Sequence, residues 1–182
     1  MLRRLLSVLA IALGISYAGV LPASASNPTP YPGTLVTKTS HHYQALIRRL
    51  EAAVRANKMG LVTRASATLG GKTALKMTIP GNMVIGVYHP RFAIRMLKAS
   101  VAAGIEAPLR FYLTENADRT GTLTYRKPSS IFALYQSGYL DKMALELDKL
   151  FCPDRQSGNN SVRTVLANAL IRDPGKWAPK IA

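Results

Sequence analysis

Apolar positions recur along this chain with two periods, and the change from one to the other marks out the elements. Over Leu35–Ser40, Leu35, Thr37 and Thr39 alternate with Val36 and Lys38, the two-residue period of a strand. From Tyr43 the period lengthens. Tyr43, Leu46, Ile47, Leu50, Ala53 and Val54 share one helical face, with Arg48, Arg49 and Arg55 off it, and Ser40 is placed to cap this helix. Asn57–Gly60 ends it, and Leu61–Ala65 reads as a second strand. Thr68–Met77 reads as a short helix with a glycine-rich start. Met83–His89 is apolar throughout, which predicts an interior strand rather than an edge. Phe92, Met96 and Val101 then form the buried stripe of a helix, and Arg91, Arg95 and Lys98 form a basic one. Leu109, Phe111 and Leu113 alternate with Arg110, Tyr112 and Thr114, a half-buried strand. Asn116–Gly121 reads as a hairpin loop whose return strand buries Leu123 and Tyr125. Ser129 is placed to cap a short helix that Gly138 stops. Leu140, Met143, Ala144, Leu147, Leu150 and Phe151 mark a last long amphipathic helix, closed by Cys152-Pro153. A further small helix fits Val162, Val165, Leu166, Ala169 and Leu170.

This order predicts an α+β domain: one mostly antiparallel sheet of about four or five strands, with helices packed on one face. The chain ends are of another kind. Arg3 and Arg4, the apolar run Leu5–Val20 and the Ala23-Ser24-Ala25 site have the layout of a secretory signal peptide cleaved after Ala25. The apolar run is shorter than the roughly 20 residues a membrane-spanning helix needs. Residues 1–25 are therefore expected to be a leader, 26–34 a Pro-rich linker, 35–152 the domain, and 153–182 a tail with one short helix. The expected product is exported, most simply to the periplasm, with no transmembrane segment after cleavage.

Several short motifs resemble a known family. Tyr88-His89-Pro90 closes the apolar strand at the place where the family usually has Phe-Gly-Asn-Pro. Ala107-Pro108 opens the next strand in place of a Leu-Pro, and Thr120-Gly121 replaces an Asp-Gly turn. Tyr125 and Pro128 match a Tyr…Pro pair. Over roughly Leu35 to Phe151 the chain resembles the bacterial family catalogued as domain of unknown function 302. The resemblance implies one antiparallel sheet with helices on one face, similar to half of a TATA-binding protein. It implies no activity.

Charge narrows the partners. The chain carries a formal +15, and loss of Arg3 and Arg4 with the leader would lower this by two. Such a field favours anionic surroundings: a small anionic ligand, lipid headgroups or a membrane surface, or an acidic partner. Nucleic acid fits poorly. The basic residues are spread over several helices, and Phe111, Tyr125, Phe132 and Tyr135 read as core rather than as a stacking platform. Cys152 is the only cysteine, so no internal disulfide forms. Following Leu150-Phe151, it reads as buried; the alternative is a bond between chains in a homo-dimer.

Four kinds of chemistry remain to be weighed. Gly70-Gly71-Lys72-Thr73 has the tail of a phosphate-binding loop, but the glycine required five residues before Gly71 is Ser66. The segment therefore reads as a helix with a solvated lysine. His41, His42 and His89 with a methionine such as Met83 would suit copper in a soft site. His41-His42 precedes a helix and His89 ends a strand, so the two could meet at one rim of the sheet. Adjacent strand histidines point apart, however, and the methionines Met59, Met77, Met83, Met96 and Met143 fall where core filling is the ordinary role. For a hydrolase, the nine acids are scattered and no Gly-x-Ser-x-Gly elbow occurs. The remaining reading is a non-enzymatic periplasmic binding or accessory domain without a cofactor. Its ligand face would be Arg91, Arg95 and Lys98, joined by Arg110 and Arg126 from nearby strands. Copper handling and hydrolysis stand as the alternatives.

Overall fold

The computed structural model of the chain describes residues 31–151. The expected leader, the cleavage site, Cys152 and the tail lie outside the described residues. Strand β1 (Thr34–His42) leads into α1 (Tyr43–Ala56), and β2 (Gly60–Ala65) into α2 (Ala67–Gly70) with a π-helical turn at Gly71–Leu75. Next come β3 (Asn82–Tyr88), α3 (Pro90–Ala99) and a 3-10 turn at Ala102–Glu106. The hairpin β4 (Leu109–Glu115) and β5 (Thr120–Arg126) follows, and then α4 (Pro128–Phe132), a 3-10 turn at Ala133–Tyr135 and α5 (Gly138–Phe151).

The five strands form one antiparallel sheet in the order β1-β5-β4-β3-β2. This is the α+β, two-layer architecture that the periodicity predicts, and Met83–Val87 lies in an interior strand as expected. Register fixes the faces. Phe111 stands opposite both Ile85 and Tyr125, Leu113 opposite both Met83 and Leu123, and these side chains are buried under the helices. The helical layer meets them with Leu46, Leu50 and Val54 of α1 and Leu140, Met143 and Leu147 of α5. Phe151 closes the core at its centre, with its ring 4.9 Å from Phe111 and 6.1 Å from Tyr125. Tyr43 is buried at the other end, where desolvation and then the Glu115 carboxylate push its phenol up to about 12.

Local details differ from the pattern-based expectations, each for a physical reason. Ser40 does not cap α1. Strand β1 runs on to His42, which pairs with Thr120, and the Tyr43 amide donates to the Arg119 carbonyl of the hairpin loop at 3.0 Å. Thr68–Met77 is not a regular helix: α2 is capped by Ser66, the π-helical turn ends at Lys76 in the left-handed region, and none of its residues is buried. Val101 is not in the stripe of α3, because Ser100 is extended and breaks the helical phase; Val101 is 80% exposed. The short helix after Pro128 stops at Gln136, with φ +50°, and Gly138 is the first residue of α5.

Candidate functional site

The basic helix α3 is opened by two local signals. Pro90 occupies its first turn, and the His89 side chain caps it, with Nδ1 accepting from the Arg91 amide at 3.1 Å. The phase of the helix then sorts its side chains. Ala93 and Met96 are buried, Phe92 and Arg95 are half-buried, and Arg91, Ile94, Leu97 and Lys98 face outward. Arg95 is a fastener. Its guanidinium makes two hydrogen bonds to Glu146 of α5, at 2.6 and 2.7 Å, and lies over the rings of Phe92 and Tyr139. The same bonds push the Arg95 guanidinium up and hold the Glu146 carboxyl below the usual range. Among the described residues, Arg91 and Lys98 make no ion pair.

The five expected ligand residues do not gather. Arg110 and Arg126 are neighbours across β4 and β5, one position beyond the Phe111–Tyr125 pair. Because strand side chains alternate, burying Phe111 and Tyr125 under the helices sends both arginines to the opposite face of the sheet. The expected ligand residues thus fall into two groups: Arg91 and Lys98 on the helical layer, with Arg95 bound to Glu146, and Arg110 and Arg126 on the opposite face of the sheet.

The expected copper ligands do not converge either. His42 pairs with Thr120, and Asn82 with Thr114, which puts His41, His42 and Met83 toward one end of the sheet. His89 follows Tyr88 at the opposite end, where Val87 pairs with Leu109. The strands that were expected to bring these histidines to one rim run in opposite directions. Met83 is buried among core side chains. As cap, His89 directs its Nδ1 at the Arg91 amide. No group of three His, Cys, Asp or Glu suited to a metal occurs among the described residues.

Gly70-Gly71-Lys72-Thr73 forms the junction of α2 and its π-helical turn, and the Thr73 hydroxyl donates to the Leu69 carbonyl at 2.9 Å. It is an exposed helical turn, not a phosphate cradle. The acids hold structure. Glu51 pairs with Arg64, Glu115 accepts from the Gly81 amide, and Asp148 accepts from the Ser129 amide. Glu106 accepts from the Tyr135 hydroxyl at 3.0 Å.

One cleft, of about 30 Å³, opens beside α3 between Met59, Met96, Met143, His89 and Glu106. Its size suits a water rather than a small molecule. Sequence reasoning did not assemble this group: Met59 lies in the turn after α1, Met96 in α3 and Met143 in α5, and nothing in their spacing shows that the three meet.

A family model for a domain of unknown function, DUF302, matches residues 36–151. The chain belongs to the DUF302 family. The DUF302 domain also resembles a solved structure, the crystal structure of an uncharacterized conserved protein DUF302 from Bacillus stearothermophilus. The TM-score is 0.59 at 18% identity, over 65% of this chain and 92% of that one. At that identity the likeness is one of fold. No curated protein matches the DUF302 chain. Among its described residues, no helix is long and apolar enough to cross a membrane.

Proposed function

We propose that this DUF302 protein is an exported, periplasmic, non-enzymatic binding domain whose basic surface on α3 takes an anionic ligand. One observation supports this reading above the others. Arg91 and Lys98 project from the outward face of a helix that Arg95 fastens to α5, with its two bonds to Glu146. The helix that carries the two cations is fixed before a ligand arrives, so binding has only their side-chain rotamers to order. Arg110 and Arg126 form a separate pair and are not part of this site.

The test is an amide-shift titration of the chain with glycerol phosphate at low salt. Shifts should centre on α3, fade as salt is raised, and weaken by roughly fivefold for each cation removed in Arg91→Ala and Lys98→Ala. Shifts that centre on the opposite face of the sheet, or that persist in the double variant, would remove the reading. Fractionation of the producing cell decides the location, and finding the protein in the cytoplasm would overturn that part.

A further inference from the structure

The outward face of α3 is not only basic. Ile94 and Leu97 are 56% and 45% exposed, and beyond the helix Val101 and Ile105 are 80% and 81% exposed. A single exposed aliphatic is ordinary, but four in succession along one surface are not. The backbone explains their meeting. Extended Ser100 ends the helix, and the 3-10 turn at Ala102–Glu106 packs back against it. A Cβ on Gly104 would lie 3.0 Å from Leu97 Cδ2, so helix and turn share one apolar strip. Arg91 precedes Ile94 by one helical turn and Lys98 follows it by one, so the two cations border the strip. Of the acids on this side, Glu146 is paired with Arg95, and Glu106, which follows Ile105, keeps its charge while accepting from the Tyr135 hydroxyl. Between Glu51 and Glu106 the sequence has no Asp or Glu but eight Lys and Arg.

We infer that the anionic partner of α3 is the surface of an acidic lipid bilayer, with Ile94, Leu97, Val101 and Ile105 entering its apolar boundary between headgroups that pair with Arg91 and Lys98. The inference rests on the binding reading above and names its partner. A soluble anion would account for the cations but leaves the aliphatics in water. A second copy would cover the aliphatics, but a two-fold contact sets the cations of one face against those of the other. An acidic bilayer satisfies both, as interfacial helices with a basic border do.

The chain as processed by an exporting host would be sedimented with phosphatidylcholine vesicles with and without phosphatidylglycerol, beside the glycerol phosphate titration. Binding should require the acidic lipid and fall as salt rises. It should weaken by roughly tenfold in Leu97→Ser/Ile105→Ser, and by about as much in Arg91→Ala/Lys98→Ala. The aliphatic variant should keep its glycerol phosphate response. Undiminished vesicle binding by that variant would overturn the inference and leave the binding reading standing. So would a change from dimer to monomer with vesicle binding intact, which assigns the strip to a second copy. If the parent chain binds neither glycerol phosphate nor acidic vesicles, both readings fall. Ile105→Trp in a Trp177→Phe background gives an independent readout. Brominated acyl chains should quench it, and unquenched emission in the presence of bound acidic vesicles would also overturn the inference.

Discussion

His89 has a structural task that its place in the sequence does not announce. A histidine at the end of an apolar strand, in a methionine-rich chain, has the chemistry of a copper ligand. In the fold it is a helix cap. Its Nδ1 accepts the Arg91 amide at 3.1 Å, and its carbonyl accepts the Phe92 and Ala93 amides. A cap of this kind contributes about 1 kcal/mol. His89→Asn should therefore melt close to the parent, and His89→Ala should lose roughly that amount of stability by denaturant unfolding. Copper titration should not separate the two variants. A metal-dependent stability that both variants lack would show that the imidazole is a ligand after all. Gly86 makes the same point from the side of packing. An added Cβ would run into the Thr63 hydroxyl and the Pro108 ring, a constraint between three strands that no local pattern announces.

Between elements, the contact between α3 and α5 is read best through its one charged fastener. Arg95 holds Glu146 below the usual carboxylate range, so the folded chain binds that proton less readily than the unfolded one. The contribution is present above the ordinary carboxylate value and is lost as pH falls through the lowered one. Thermal unfolding followed from neutral to acid pH should show this as a loss in the parent that is smaller in Glu146→Gln. The effect will be modest and salt-sensitive, because the pair is exposed to water. Identical acid profiles would mean that packing alone joins the two helices. Periodicity made the elements readable at this level, since the buried faces of α1 and α5 are the stripes the sequence displays. It did not reveal the partners across elements. Arg95 looked like one of three equivalent cations because its acid lies on another helix, far along the chain. Val101 looked buried because a helical count has no means of registering that Ser100 turns extended.

At the scale of the whole molecule, the apolar periods predicted the α+β class and the unbroken apolar run predicted the interior position of β3, while strand order was not readable from either. Order decides which candidate residues meet. It put His89 and His41 at opposite ends of the sheet, and it made Arg110 and Arg126 neighbours across β4 and β5. The same order governs assembly in time. Among the described residues the first strand is an edge strand whose neighbour is the last, so Leu35 must find Tyr125 about ninety residues later. A chain made from its N-terminus holds β1 without a partner until Arg126 is available. The Tyr43 amide, which donates to Arg119 in the final hairpin, stays bonded to water until that hairpin forms. Release from a stalled ribosome before β5 should thus leave Tyr43 open to rapid hydrogen exchange, and release after it should give protection. The whole domain is therefore committed to its fold late and at one seam, and any factor that guards the nascent chain has to guard its first strand longest.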